Sequence, residues 1–182
     1  WSLGGQLALA LAADRARDIR RLVLIASTPC FTAREGWEHG LPAATLQQFA
    51  DALEQDPQGV LSQFLELQVR GSAAAAEVRA ALSGALEQHG SARLPALKAG
   101  LALLAANDLR EQARTLAIPA LVLAGEHDRV VPAAASQALA VLLPRSQLQL
   151  VRRCGHAPFL SHPQIVAAAL LQFLRATDTE PT

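Results

Sequence analysis

Apolar residues follow two different spacings along the chain, and these spacings predict where strands and helices lie. The nearly continuous apolar runs 21–26 and 118–124 are typical of parallel strands that are covered on both faces. Residues 147–151 alternate between polar and apolar side chains, which indicates a strand nearer the edge of a sheet. Apolar runs of helical length alternate with these strands at 3–13, 132–143 and 163–174. The alternation, with its short links, predicts an α/β fold built on a mostly parallel sheet flanked by helices.

The segment 37–110 has a different pattern, because helical spacing recurs there without a strand between the runs. Glycines and a proline divide the segment into about four predicted helices. A helical block inserted between two strands of a sheet is typical of a lid over a pocket. We therefore divide the chain into a core domain at 1–36 and 111–182 and a helical lid at 37–110.

The charge balance and the cysteine content argue against several classes of protein. The 182 residues include 16 basic and 16 acidic ones, so a formal net charge of zero gives no support for nucleic-acid binding or for a polybasic membrane anchor. Cys30 and Cys154 match no metal-binding spacing, and the motifs of zinc, nucleotide and dinucleotide sites are absent. No apolar run reaches the roughly 20 residues that cross a bilayer. We therefore expect neither a metal nor a cofactor.

The first five residues, Trp1-Ser2-Leu3-Gly4-Gly5, place a serine at the start of the first predicted helix. A strand that turns sharply into a helix holds such a serine at the tip of a strained turn, and we expect Gly4 to let strand and helix approach closely. The N–H of Leu3, at the positive end of the helix dipole, would then donate to an oxyanion. The simpler alternative is that Ser2 only caps the helix.

The beginning of the chain affects this interpretation. The sequence contains no methionine and begins at Trp1, although a serine turn of this kind needs a strand before it. We interpret the chain as the C-terminal part of a longer protein whose N-terminal strands are missing here. Such a part would leave one sheet edge unpaired, which predicts instability in isolation.

A serine nucleophile needs a base and an acid that orients the base, and two loops supply candidates. Asp128 follows the predicted strand at 118–124, and His156 follows the one at 147–151. The carboxyl ends of parallel strands meet at one edge of a sheet, so Ser2, Asp128 and His156 can converge there. We therefore predict Ser2 as nucleophile, His156 as base and Asp128 as the acid that orients it.

Other residues near these loops remain alternatives. Glu126 lies two residues before Asp128 and could serve as the acid instead. His127 adjoins Asp128 too closely in sequence to be oriented well by it. His162 directly precedes a predicted helix, which favours a structural role at the helix entry.

Motifs at three places together resemble the α/β-hydrolase superfamily, and the match covers nearly the whole chain. They are Trp-Ser-Leu-Gly-Gly at 1–5, Gly-Glu-His-Asp at 125–128 and Gly-His-Ala-Pro-Phe at 155–159. Further stretches are similar to a narrower family, the pimeloyl-[acyl-carrier protein] methyl ester esterases of biotin synthesis. These stretches lie at 26–31 with Trp37 following, at 64–68, at 108–110 and at 161–163.

The resemblance implies a serine carboxylesterase that hydrolyses the methyl ester at the far end of a pimeloyl chain held on acyl carrier protein. It implies Ser2, Asp128 and His156 as the catalytic triad of a cytoplasmic protein that is a monomer when full length, with no nucleic-acid or membrane partner. It also implies that the substrate is bound by Trp1, Leu3 and His156 together with the lid residues Phe64, Leu65, Glu66, Leu67 and Gln68.

Carrier docking departs from what the family implies. Family members hold the acidic carrier protein with lid arginines, and Arg70 and Arg79 are the nearest candidates here. The predicted lid has eight acidic residues against five basic ones, so docking could move to Arg152 and Arg153. The alternative functions are a broad-specificity carboxylesterase, a carbon–carbon bond hydrolase, a receptor-like hydrolase and an inactive truncated product.

Overall fold

The computed structural model describes residues 1–90 and 93–178. No helix within these residues combines the length and the apolar character that crossing a bilayer requires. The elements, numbered in chain order, are α1 (Leu3–Asp14), β1 (Leu22–Ile25), α2 (Ala43–Gln55), α3 (Pro57–Val69), α4 (Ala75–His89), α5 (Leu94–Ala106), α6 (Arg110–Thr115), β2 (Ala120–Gly125), α7 (Ala133–Leu142), β3 (Ser146–Val151), α8 (Pro158–Ser161) and α9 (Pro163–Asp178).

The three strands form a parallel sheet in the order β1-β2-β3, which confirms the predicted α/β class. Leu24 pairs with Val122, and Val122 pairs with Leu148. All six residues of β2 are buried, as the continuous apolar run predicts for a central strand. The middle of β3 is exposed, in agreement with its alternating pattern and its place at the end of the strand order.

Successive side chains of β2 point to opposite faces of the sheet, and all of them are apolar or small, so both faces need a cover of helices. On one face, Val122 packs in a cluster with Leu9 of α1 and Leu139 of α7. On the other face, Leu123 packs with Phe173 of α9. Burying a side chain of this size stabilises the fold by about 1.5–3 kcal/mol. The two clusters therefore fix β2, and with it the loop that follows it, between the two helical layers.

Two prolines set the ends of elements differently from the prediction. Pro119 has no N–H to donate to the sheet, so β2 begins after it, and its carbonyl accepts the Leu22 N–H at 3.0 Å. Pro132 precedes the first turn of α7 and does not occupy it, because the helix begins at Ala133. The short helices α6 and α8 are additions to the predicted elements.

Helices α2 to α5 lie between β1 and β2 in the chain, and no described residue of this segment belongs to a sheet strand. Their packing onto the core is apolar. Leu46 of α2 and the half-buried Phe64 and Leu67 of α3 share a cluster with Val130 and Val131, which follow Asp128. The insertion therefore packs directly against the loop that carries the predicted acid. Its division from the core at 37 and 110 stays a prediction.

The chain enters the insertion at residues 29–37 and returns from it at residues 107–110, and these two segments lie side by side. We call this contact the base junction, because it forms the foot of the insertion; the name does not refer to the predicted catalytic base. The Leu109 N–H donates to the Pro29 carbonyl at 2.9 Å. The guanidinium of Arg110 donates to both oxygens of Asp108, at 2.8 and 2.7 Å, and to the Glu35 carbonyl at 2.9 Å. The hydrogen bonds from Arg110 hold the pKa of Asp108 below its usual range.

Candidate active site

Ser2 lies in a strained turn directly before α1 and beside the end of β1. Its backbone has φ 52° and ψ −129°, a combination that non-glycine residues rarely adopt and that costs about 1–3 kcal/mol. Its N–H donates to the Ile25 carbonyl at the end of β1, at 3.0 Å. The side chain makes no capping hydrogen bond within the described residues, so the helix-cap alternative gains no support. The strain is of the kind that persists where the surrounding structure imposes it, at functional sites above all.

Gly5, and not Gly4, allows the close approach of α1 to the sheet. A Cβ on Gly5 would lie 1.9 Å from Ser27 Oγ, whereas a Cβ on Gly4 would meet no described atom within 4 Å. The expectation for Gly4 is therefore wrong. Ser27 Oγ donates to the Ser2 carbonyl at 2.7 Å and so braces the turn. Sequence reasoning missed Ser27, although a hydroxyl directly after β1 lies at the edge where the site was expected.

Asp128 and His156, the predicted acid and base, lie on the loops that follow β2 and β3, and their side chains meet. His156 Nδ1 and Asp128 Oδ2 are 2.7 Å apart, and both side chains are almost completely buried. Asp128 Oδ1 accepts the N–H groups of Val130 and Val131 at 2.8 and 2.9 Å. A carboxylate can only accept hydrogen bonds, so Nδ1 of His156 carries the proton and Nε2 is left as an acceptor.

Glu126, the alternative acid, lies apart from this pair. It is half-exposed, and its Oε2 accepts the Arg153 N–H at 3.4 Å. His162 contacts its neighbour Ser161, with Nδ1 2.8 Å from the hydroxyl oxygen. The structure thus pairs His156 with Asp128 and gives the alternatives other contacts.

Nε2 of His156 is buried and has no hydrogen-bond partner among the described residues. Leaving a buried polar atom unpaired costs about 1–3 kcal/mol, and Gln6 Nε2 and Gln68 Oε1 are likewise without a partner among the described residues. The hydroxyl of Ser2 makes no hydrogen bond to it here. Hydrogen bonds between nucleophile and base are often long in enzymes without substrate.

Trp1 links the serine turn to the histidine loop. Its Nε1–H donates to the His156 carbonyl at 2.8 Å, and its ring centroid lies 5.4 Å from that of His156. Its ring also packs edge-on against Phe159, at 5.2 Å. The residue next to Ser2 therefore contacts His156 directly.

Two glycines bring the loops after β2 and β3 into backbone contact. We call them the acid loop (residues 126–132) and the base loop (residues 152–157), after the predicted roles of Asp128 and His156. A Cβ on Gly125 would lie 2.0 Å from the Gly155 carbonyl oxygen, and a Cβ on Gly155 would lie 2.5 Å from the Gln68 carbonyl oxygen. The His127 N–H donates to the Cys154 carbonyl at 2.9 Å. Larger side chains at either glycine would separate the loops that carry Asp128 and His156.

The predicted lid residues 64–68 divide between different contacts. Phe64 and Leu67 pack against the core below the insertion, and Leu65 is half-buried. Glu66 is half-exposed and forms an ion pair with Arg79 of α4. Gln68 alone of the five bonds to the base loop, since its carbonyl accepts the His156 N–H at 2.9 Å. Its side-chain Oε1 is buried without a partner in the described part of the chain.

A cleft of about 430 Å³ lies between α2 and α5. Apolar residues such as Leu46 and Leu101 line it together with Arg34 and Lys98, but Ser2 and His156 do not. Leu3 comes near this side of the molecule, because a Cβ on Gly100 would lie 3.5 Å from Leu3 Cδ2. The cleft is therefore separate from the Asp128–His156 pair.

Both cysteines are buried and free. Burial raises the pKa of the Cys30 thiol, and the negative charge of Asp108 adds to the effect. Burial likewise raises the pKa of Cys154. Thiols with raised pKa values are poor nucleophiles. Within residues 1–90 and 93–178, no cluster of three or more His, Cys, Asp or Glu residues could hold a metal ion.

Comparison with known proteins places this geometry in a family. Residues 1–163 match the model of the α/β-hydrolase fold. The chain is 42% identical over 165 residues to the pimeloyl-[acyl-carrier protein] methyl ester esterase of Nitrosomonas europaea, covering 90% of this chain and 65% of that protein. It is 44% identical over 176 residues to the protein of that name from Stenotrophomonas maltophilia, covering 97% of this chain and 68% of that protein.

Solved structures agree on the fold. An esterase from Exiguobacterium antarcticum superposes with a TM-score of 0.83 at 20% identity, over 96% of this chain and 65% of that one. The chain spans about two thirds of the length of the proteins that it matches. The family model covers most of the chain, and the strained Ser2 turn and the buried Asp128–His156 contact lie where parallel strands end, so the chain belongs to the α/β-hydrolase family.

Proposed function

We propose that this chain supplies the catalytic residues of a serine carboxylesterase that hydrolyses the methyl ester of pimeloyl-[acyl-carrier protein]. The observation that supports ester-hydrolase chemistry most is the buried His156–Asp128 contact. It leaves Nε2 of His156 without a partner among the described residues, and Trp1, which precedes Ser2, bonds to the His156 carbonyl. The names of the relatives that are 42–44% identical support this substrate.

The proposed reaction has two steps. His156 Nε2 takes the proton of Ser2 as Oγ attacks the ester carbonyl, and it returns the proton to the departing methanol. Water then attacks the acyl-enzyme with the same assistance and releases the free carboxylate. Asp128 stays a carboxylate throughout, holds the imidazole by Nδ1 and stabilises its positive charge.

The start of α1 supplies a donor for the developing oxyanion. Leu3 is the first helical residue, so its N–H has no acceptor one turn earlier in the helix. The aligned peptide dipoles of α1 favour negative charge at this end. A hydrogen bond from Leu3 N–H would therefore strengthen as the ester oxygen becomes an anion.

The substrate would lie between the serine turn and the end of α3. Trp1, Leu3 and His156 surround the reacting ester, and Gln68 reaches the base loop from the lid side. Of the other lid residues, Phe64, Leu65 and Leu67 supply apolar side chains for an acyl chain. Glu66 is engaged with Arg79 and contributes least.

The carrier protein would dock on the core loop that carries Arg152 and Arg153, with Arg70 after α3 as the remaining lid candidate. Arg79 is already paired with Glu66. Arg152 and Arg153 are exposed, and neither guanidinium forms an ion pair in the part of the chain that the structure describes, although the backbone N–H of Arg153 donates to Glu126. Free guanidinium groups beside the base loop suit an acidic partner.

Replacement of the nucleophile tests the reaction. In the complete protein, Ser2→Ala should lower kcat for a pimeloyl methyl ester by about 10⁴-fold or more, because the attacking oxygen is lost. Ser62→Ala, at an exposed position of α3, is the matched control and should keep wild-type turnover. Unchanged turnover in Ser2→Ala would remove Ser2 from the mechanism.

A comparison of substrates tests the specificity. Wild-type kcat/KM should be higher for the methyl pimeloyl-carrier protein than for free short-chain esters, because the carrier adds contacts that small esters lack. A preference for the free esters would favour a broad-specificity carboxylesterase instead. No turnover of any ester by the complete protein would favour the receptor-like alternative.

A further inference from the structure

The segment that follows α3 touches both loops of the acid–base pair. The Gln68 carbonyl accepts the His156 N–H at 2.9 Å, and the Ala73 N–H donates to the Arg153 carbonyl at 2.8 Å. Nδ1 of His127 lies 3.0 Å from the Gly71 carbonyl oxygen. We call this contact, residues 68–73 with residues 127 and 153–156, the site junction.

Steric contacts at the site junction leave little room for displacement. A Cβ on Gly71 would lie 2.6 Å from His127 Cβ, and Gly71 has φ +79°, which suits glycine. On the other side, Gly155 fits against the Gln68 carbonyl only because it has no side chain. The segment therefore touches the acid loop at His127 and the base loop at Gly155 and His156.

His127 makes the only side-chain hydrogen bond of this junction within the described residues. A carbonyl oxygen can only accept, so Nδ1 of His127 is the donor. The second ring nitrogen, Nε2, lies 3.8 Å from Glu126 Oε2, beyond hydrogen-bond distance. The lid segment is thus held to the acid loop by one N–H group at the δ position of residue 127.

We propose that His127 is a positioning residue that fixes the lid end of α3 against both loops, so that the Gln68 carbonyl holds the His156 backbone in register. The proposal rests on the proposed function, since His156 is positioned for its role as base. The ring of His156 is held at Nδ1 by Asp128 and its backbone by Gln68. Release of Gly71 from His127 loosens the second of these supports and leaves the first.

The test uses variants that differ at the δ position in the complete protein. His127→Asn keeps an N–H donor close to the place of Nδ1, whereas His127→Leu fills a similar volume without a donor. His127→Leu should lower kcat by about tenfold with KM changed far less, a loss smaller than the ~100-fold that a 1 Å displacement of reacting groups causes. His127→Asn should restore most of kcat. His39 is also exposed, and its ring packs edge-on against Trp37, away from the site junction. His39→Leu is therefore the control and should leave kcat unchanged.

A second measurement does not depend on turnover. Amide hydrogen exchange of His156 and Ala73, whose N–H groups bond across the junction, should speed up in His127→Leu and stay slow in His127→Asn. Wild-type kcat in His127→Leu, or an equal loss of kcat in His127→Asn, would overturn the proposal, as would unchanged exchange in His127→Leu. If the wild-type protein hydrolyses no ester, the proposed function fails, while the exchange rates still decide whether His127 holds the junction.

Discussion

Two junctions attach the helical insertion to the core, and they use different chemistry. At the base junction, the Arg110 guanidinium donates to the Glu35 carbonyl and the Leu109 N–H donates to the Pro29 carbonyl, while the bidentate Asp108–Arg110 ion pair holds the Arg110 side chain within its own segment. The site junction joins residues 68–73 to the loops at 127 and 153–156 by uncharged hydrogen bonds and by glycines that admit close backbone contact. Only the second junction bonds to His156.

The difference separates stability from catalytic geometry. The Arg110–Glu35 and Leu109–Pro29 hydrogen bonds of the base junction join the segment that enters the insertion to the one that leaves it, and neither bond involves Asp128 or His156. The site junction includes the hydrogen bond from the His156 N–H to the Gln68 carbonyl, which is the support of the His156 backbone in our proposal. Damage to the base junction should therefore reduce the free energy of unfolding first, and damage to the site junction should reduce kcat first.

Among the junction variants, Gly155→Ala is expected to have the largest effect, because it crowds the site junction. The added Cβ would lie 2.5 Å from the Gln68 carbonyl oxygen, so α3 and the base loop must move apart. The backbone of Gly155 does not have a positive φ, so the effect is one of contact and not of strain. A displacement near 1 Å predicts a fall in kcat of about 100-fold, measured on a methyl ester with the complete protein.

Gly84→Ala is the matched control for this change. Gly84 lies inside α4, and a Cβ there would meet no described atom within 4 Å. Alanine favours a helix over glycine by about 1 kcal/mol, so this variant should be slightly more stable and fully active. If Gly155→Ala were as active as Gly84→Ala, the two junctions would not differ in their effect on catalysis.

The second effect is expected at the base junction, from Arg110→Ala. Loss of the bidentate pair should lower the free energy of unfolding by about 1 kcal/mol near neutral pH and change kcat little. The pKa of Asp108 is lowered in the folded state, so its contribution is present above the ordinary carboxyl pKa and is lost as the pH falls through the lowered value. The stability difference between wild type and variant should therefore shrink below about pH 4, as urea unfolding would measure.

Arg114→Ala is the control for Arg110→Ala, because it removes an ordinary surface ion pair in place of the ion pair at the base junction. Arg114 pairs with Glu111 on the same short helix, and Glu111 is largely exposed. Exposed pairs of this kind contribute between zero and about 0.5 kcal/mol, so this variant should unfold almost as the wild type does. Equal destabilisation by Arg110→Ala and Arg114→Ala would show that the base junction has no special role.

The periodicity of the sequence was enough to predict the fold in outline. Continuous apolar runs predicted β1 and β2, alternation predicted an outer β3, and helical spacing predicted about four helices in the insertion. The runs predicted cover on both faces for both strands, but only alternate residues of β1 are fully buried. Element ends were less accurate, because proline and short helices such as α6 depend on local hydrogen bonds more than on apolar spacing. The identity of the glycine at the closest helix–strand contact was also wrong, since spacing does not tell which of Gly4 and Gly5 faces the sheet.

The contact between Asp128 and His156 was predictable because topology brings the ends of parallel strands together. Their roles as acid and base stay a prediction. Asp128 and His156 needed only their order and their place after β2 and β3. The residues that support Ser2 and His156 by hydrogen bonds were not predictable in this way. Ser27 acts through its hydroxyl on the Ser2 carbonyl, and Gln68 acts through its backbone on His156. Contacts of a backbone carbonyl leave no signature in residue type.

The smallest effect should come from Arg152→Glu, which changes the charge of the site junction's outer surface without touching the acid–base pair. Under the proposed docking, KM for the carrier-bound methyl ester should rise about fivefold at low salt, and the rise should fade as salt screens the charges. Hydrolysis of a free methyl ester should not change. Arg20→Glu, an equal charge reversal at an exposed site after α1, is the control. If both reversals weakened carrier binding equally, net charge and not this loop would govern docking.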